Sequence, residues 1–212
     1  MQLEALLNAP VAFTLFAITL ITSLMAFQNE ELKERFLLRP YDTIHRKEYY
    51  RLFTSGLVHA NTMHLVFNML TFYFFAFSLE THPYDPARSL GHWQFAVLYV
   101  LTLLMSDTIT LAKHHQNRGF GSLGASGAIS GVVLAAILCN PEMELGLIFI
   151  PGLYIPGWLF ALLYIGYSYY YSRRDSSLNI NHDAHLLGAV LGIVFTLILK
   201  PEVISFWVSY LS

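Results

Sequence analysis

A chain of 212 residues that is 55% hydrophobic and only 12% charged carries about half the charge of an ordinary soluble domain. Its formal net charge of −2 leaves no case for nucleic acid as a partner, and its single cysteine, Cys139, excludes an internal disulfide. The expectation is an all-α membrane protein whose first partner is the lipid bilayer.

The first nine residues carry Glu4 but no Lys or Arg, so they lack the basic start of a cleaved signal, and the run Pro10–Phe27 reads as a retained helix. From Gln28 to about Ala60 the pattern changes. This segment holds six of the twelve basic residues together with Phe36, Leu37, Leu38, Tyr41, Tyr49, Tyr50, Leu52 and Phe53, and Pro40 divides it. A structureless loop of that length is unusual, and mixed aromatic and basic residues suit the headgroup region. An ordered, half-immersed first loop is therefore expected.

The second apolar run, Leu65–Leu79, reaches the roughly 17–25 residues of a spanning helix if it begins near Asn61. His64 and Asn68 stand four apart near its start and share one helix face. Glu80 at its far end reads as structural, pairing with loop groups. The third run, Trp93–Ala112, contains one charge, Asp107, which reads as snorkelling or interfacial rather than catalytic. His114-His115 reads as a solvated loop. The fourth run, Gly121–Cys139, holds Gly124-Ala125-Ser126-Gly127 near its start, in a stretch free of charge from Phe120 to Asn140.

Between Leu147 and Pro156 a Pro-Gly pair and a second proline break any single helix over 145–171, so the fifth span starts near Pro156. Tyr164, Tyr167, Tyr169, Tyr170 and Tyr171 read as an interfacial belt. The sixth run, Ala184–Leu199, opens on Ala184-His185. Asp183, two residues before His185, points away from it on a helix and is left out of catalysis. The whole chain, 1–212, reads as one domain, a six-transmembrane-helix bundle without internal repeat or low-complexity linker.

With six spans, the second, fourth and sixth run in the same direction, so their N-terminal ends share a face. His64, Asn68, Ser126 and His185 then lie at one depth. Gly127, Gly131 and Ala135 recur every four residues on span four, and Ala184, Gly188 and Gly192 do so on span six. Small residues at that spacing let helix backbones approach closely in lipid, which sets Ser126 beside His185. Gly-Ala-Ser-Gly alone is an ordinary packing string. Its coincidence with three polar groups at one depth turns it toward chemistry, because intramembrane ionisable groups are costly and a serine becomes a nucleophile when a base can take its proton. The constellation points to hydrolysis inside a bilayer.

These residues resemble the rhomboid intramembrane serine proteases. The similarity runs from Tyr50-Arg51 through Thr54-Ser55, His59-Ala60, His64 with Asn68, Glu80 and Gly124-Ala125-Ser126-Gly127 to Ala184-His185 with Gly188 and Gly192. The resemblance implies that Ser126 is the nucleophile and His185 the general base. It also implies an oxyanion hole made of the Ser126 N–H and the side chains of His64 and Asn68. Arg51, Glu80, Gly124, Gly127, Gly131, Gly188 and Gly192 would be structural supports. The implied partners are transmembrane protein substrates, cut at small residues near a membrane face without cofactor or metal. Two positions depart from the pattern: Tyr50 stands where members often have Trp, and Ser130 stands where some well-known members stack a tyrosine on the imidazole.

Two other readings are weighed against it. A membrane metal-ion transporter could use His182, Asp183, His185, His114 and His115, but these lie at helix ends rather than near the midplane, and no repeat is visible. A non-catalytic rhomboid-like protein that binds membrane proteins is opposed by the presence of both Ser126 and His185. Orientation sets two signals against each other. The active-site face holds ten of the twelve Lys and Arg, which by the positive-inside rule makes it cytoplasmic, whereas the resemblance places the site at the outer face of the cell membrane. The resemblance is followed, because six of those ten charges lie in the ordered first loop.

Overall fold

The computed structural model describes residues 8–82, 84–146, 152–174 and 181–212. The start of the chain around Glu4 and the irregular stretch from Leu147 to Pro151 lie outside the described residues. Helix α1, Pro10–Gln28, has Pro in its first turn, where a missing N–H costs nothing. Ala12, Thr19, Ser23 and Ala26 make its inner face, while Ile18, Ile21, Leu24 and Met25 point outward as lipid contact requires. The expected ordered loop follows as three short helices, α2 Glu30–Phe36, α3 Pro40–His45 and α4 Arg51–Thr54, then a 3-10 turn at Ser55–Leu57. Pro40 opens a helix here rather than merely dividing the segment.

Arg51 holds this loop together. Its buried guanidinium donates through Nη1 to the carbonyls of Glu34, Arg35 and Leu37 within 2.9 Å, and through Nε to Glu48 at 2.6 Å. Thr54 adds a bond to the Phe36 carbonyl at 2.9 Å. The carbonyls that the end of α2 leaves unpaired are thereby satisfied by one cation and one hydroxyl.

Helix α5, Thr62–Glu80, is capped by Asn61, whose side chain accepts the His64 N–H at 2.9 Å. Glu80 at its other end is fully buried, and its partners are not loop groups. Its carboxylate accepts the N–H groups of Val11 at 3.2 Å and Ala12 at 2.6 Å, and His92 Nδ1 lies 2.5 Å away. An anion at the N-terminus of α1 is favourable, so span two anchors span one.

The third apolar run is broken. Helix α6, His92–Ser106, ends at Asp107 (φ −87°, ψ 4°), and α7, Thr108–His114, restarts after it. Helix α8 covers Ser126–Cys139 and starts later than the apolar run does, because Gly124 takes a φ of +115° and no helix passes through it. Strands β1 (Glu144–Gly146) and β2 (Tyr154–Pro156) pair antiparallel, Glu144 opposite Pro156. Helix α9, Gly157–Ser172, then begins where the prolines indicated. Helix α10 is His182–Leu199, and α11, Val203–Leu211, is a helix the apolar pattern did not suggest. Trp207 of α11 donates to the Leu138 carbonyl at 3.0 Å.

Among the described residues, helices lie in all six apolar runs, the third of them broken in two. The α1, α5 and α10 helices and the stretch Pro86–His114 are long and apolar enough to cross a membrane, whereas α8 is a shorter apolar helix. Its 14 residues rise only about 21 Å, less than the roughly 30 Å hydrocarbon core. It is also buried on every side from Gly127 to Ile137, as an all-round apolar helix at the centre of a bundle must be. Around it pack Phe72, Phe95, Leu98 and Tyr99, with Phe72 edge-to-face on Tyr99 at 5.6 Å.

Two backbones meet at α8 and α10. A Cβ on Gly188 would overlap the Gly127 carbonyl, and one on Gly192 would overlap the backbone of Gly131. On the other side of α8, a Cβ on Gly127 would stand 2.5 Å from Ser106 Oγ, and one on Gly131 2.7 Å from Thr102 Cγ2. The glycine stripe is therefore pressed from both α6 and α10.

Candidate active site

Ser126 is the first residue of α8, and His185 is in the first turn of α10, so the close approach of these helices joins the two side chains directly. His185 Nε2 lies 2.8 Å from Ser126 Oγ. For Nε2 to accept the serine proton, the neutral imidazole must carry its hydrogen on Nδ1. Neither nearby carboxylate completes a triad: Asp183 is paired with Lys113 Nζ at 2.8 Å, and Asp107 accepts from Asn181 Nδ2 at 2.9 Å.

His64 and Asn68 converge on the turn before the serine. A Cβ on Gly124 would stand 2.7 Å from His64 Cε1, 2.8 Å from His64 Nε2 and 3.6 Å from Asn68 Nδ2, so only a glycine lets these groups lie against the backbone here. Asn68 Nδ2 is buried with no hydrogen-bond partner among the described residues, a rare condition that calls for an explanation. Nor does α8 have a side-chain cap at Ala125. Its first N–H groups, at the positive end of the helix, are thus available to a developing anion.

The first loop sets the position of this turn. Leu38 and Ser122 exchange backbone hydrogen bonds at 2.8 and 3.0 Å, and the Gly124 N–H donates to the Ser55 carbonyl at 2.9 Å. Behind His64 lies His59, fully buried, with ring centroids 4.9 Å apart. Ser23 Oγ stands 2.9 Å from the Leu57 carbonyl and 2.8 Å from His59 Nδ1. A carbonyl can only accept, so the one hydroxyl proton goes to Leu57, and His59 Nδ1 must be the donor to Ser23. Burial, with the His64 imidazole alongside, pushes the His59 pKa down to about 3, so this ring stays neutral at physiological pH.

A protein-family model described as the rhomboid domain matches residues 46–202, which include His64, Asn68, Ser126 and His185. The chain belongs to the rhomboid family. It is 30% identical over 175 residues to inactive rhomboid-related protein 2 of Caenorhabditis elegans, covering 78% of this chain and 47% of that one. To the mitochondrial RHOMBOID-like protein 12 of Arabidopsis thaliana it is 28% identical over 184 residues, with 79% and 51% covered. To rhomboid protease GlpG of Salmonella paratyphi A it is 25% identical over 166 residues, with 77% and 53% covered. The chain spans about half the length of these relatives.

Within this rhomboid, the two departures from the family pattern have structural answers. Tyr50 is half exposed and places its ring 5.4 Å from the Arg51 guanidinium. Ser130 Oγ donates to the Ser126 carbonyl at 2.7 Å and, its proton so used, accepts from Tyr164 OH at 2.5 Å. Tyr164 is therefore an internal contact between α9 and α8 and not part of an interfacial belt. Tyr169 and Tyr170 are exposed, stacked under Arg173 at 4.6 Å and Arg174 at 4.2 Å.

Asp107 also differs from expectation, being buried rather than snorkelling. Its partner is Asn181, a residue without a motif to mark it in the sequence. That side chain caps α10 by accepting from Ala184 N at 3.1 Å, accepts from Thr110 Oγ1 at 3.0 Å, and donates to Asp107 and to Ser122 Oγ at 3.1 Å. One amide with all four bonds made thus ties the helix carrying His185 to the loop that leads into Ser126. The available signal was Asn one residue before a helix, the position where an N-cap belongs.

The proposed ligands of a metal-ion transporter do not converge. Asp183 is committed to Lys113 and His185 to Ser126. His114 stacks on Phe120 at 3.7 Å rather than lying in a solvated loop. Among the described residues no group of three or more His, Cys, Asp or Glu could hold a metal ion.

Proposed function

We propose that this rhomboid is an intramembrane serine endopeptidase that cuts transmembrane segments of membrane proteins with a Ser126–His185 dyad. The observation that carries the reading is the 2.8 Å contact between His185 Nε2 and Ser126 Oγ on adjoining helices. Ser126 Oγ attacks the scissile carbonyl as His185 takes its proton. The oxyanion is held by the Ser126 N–H, His64 and Asn68, and His185 returns the proton to the leaving amine. Water, with His185 again as base, then hydrolyses the acyl-enzyme. Labelling by a fluorophosphonate, with the adduct mapped to Ser126, tests this. A folded protein that takes no label would support instead a non-catalytic role, the alternative to which the name of the Caenorhabditis relative points.

The unpartnered Nδ2 of Asn68 supports its role as an oxyanion donor. Asn68→Ala should lower turnover on the order of a hundredfold or more while still taking the label at a reduced rate. Normal turnover in this variant would make Asn68 a packing residue.

A bond inside a helix must be unwound before its carbonyl meets Ser126. Glycine and proline weaken a helix by roughly 1 and 3 kcal/mol relative to alanine, large against the 1.4 kcal/mol that is worth tenfold in rate. The preferred substrate is therefore a transmembrane segment with a small residue at the cut and helix-weakening residues beyond it.

The site is assigned to the outer face of the cell membrane. Four of the six basic residues in 28–60 support this, because Lys33, Arg39, Arg46 and Arg51 are ion-paired within the loop rather than free. A reporter helix built on these lines should be cut near its outer end and shed its outer fragment into the medium. Replacing the glycine and proline by leucine should slow release. Equal rates would remove unwinding as the selector, and release into the cytoplasm would reverse the orientation.

A further inference from the structure

With Ser130 in place of a stacking tyrosine, the ring beside His185 is a different one. His182, one turn earlier on α10, has its centroid 6.0 Å from that of His185 at an interplanar angle of 77°, an edge-to-face contact. Two tyrosines of α9 hold His182 in turn, Tyr171 at 5.3 Å and 29° and Tyr167 at 5.6 Å and 71°. His182 is only 4% exposed, yet neither ring nitrogen has a hydrogen-bond partner among the described residues. A buried imidazole kept for its polarity is normally hydrogen-bonded. The contacts this ring makes are aromatic. Its backbone is fixed as well, since it follows Asn181 with its four hydrogen bonds.

The hydrogen bond to Ser126 locates Nε2 of His185 but does not by itself set the plane of the ring. A base must aim its lone pair at the proton it takes, and small misplacements cost rate steeply. We propose that His182, clamped by Tyr167 and Tyr171, is a positioning residue that fixes the plane of the His185 imidazole in place of the missing tyrosine. This rests on the dyad reading above. It also makes α9 part of the activation of the base, since the clamp comes from α9 and the imidazole from α10.

The test compares His182→Ala with His182→Phe in the intact detergent-solubilised protein. The readings are kcat and KM on a reporter helix, the fluorophosphonate labelling rate, and thermal stability. His182→Ala should lower both kcat and the labelling rate by about 10- to 100-fold, with KM changed by less than about twofold. His182→Phe, which restores an aromatic wall without nitrogens, should recover most of both rates. If His182→Ala does not fold, Tyr171→Leu should slow labelling in the same way. Wild-type rates in His182→Ala would overturn the proposal. So would a phenylalanine variant as slow as the alanine one, or a raised KM with unchanged labelling, which would assign the ring to substrate contact. Failure of the dyad reading itself is distinct, because the folded wild-type protein would then take no label, or labelling would persist in Ser126→Ala.

Discussion

Ser126→Ala should lower cleavage of a reporter transmembrane helix on the order of a millionfold, and His185→Ala should do about as much damage, because a nucleophile and its base act as a unit. The double variant should therefore be no worse than either single one. Folding should survive, since the change removes one hydroxyl and one hydrogen bond, a loss of about 1 kcal/mol. Reporter cleavage measured alongside thermal stability in detergent decides the matter. Undiminished cleavage by a folded Ser126→Ala protein would sink the assignment and require a different nucleophile.

The second large effect is expected from a single methyl group. Gly188→Ala places a Cβ onto the carbonyl of Gly127, a backbone atom that cannot rotate away, so α8 and α10 must separate. Overpacking of this kind typically costs about 1–3 kcal/mol and more when the obstacle is rigid. The separation also widens the Ser126–His185 contact, so stability and activity should fall together. Gly166→Ala on α9 is the control, since nothing stands within 4 Å of the added carbon. It should be neutral or stabilise by up to about 1 kcal/mol through helix propensity. An active, stable Gly188→Ala protein would show that the two backbones are not in contact.

The glycine stripes are legible in the sequence because their information is local. A four-residue repeat of small residues on a lipid-embedded helix has one common use, and two such stripes require each other. The same holds for His64 and Asn68, which share a face by helical period alone, and for Ser126 and His185, which topology sets at one depth. The apolar runs showed where the spans lie, but their ends were less reliable. Gly121 reads as part of a span, yet the chain stays irregular until Ser126, because the positive φ of Gly124 belongs to a turn built around His64 and Asn68.

The polar residues at the ends and flanks of the spans could not be read in this way. Asp107 and Tyr164 have an ordinary interfacial explanation in sequence and Glu80 a loop-pairing one, and each is internal in the fold. Their partners lie far along the chain: Asn181 is 74 residues from Asp107, Ser130 is 34 from Tyr164, and Ala12 is 68 from Glu80. What the sequence by itself determined is the all-α membrane class, the order of the spans and the chemical types brought to one depth. These follow from hydrophobic run length, helical period and chain direction. Only the tertiary structure decided which carboxylates are buried, how Asn181 ties the start of α10 to the loop before Ser126, and which ring stands beside His185. Those depend on the rotation of each helix about its axis, and in lipid that rotation is set by the fit of neighbouring surfaces rather than by any driving force written into the local pattern.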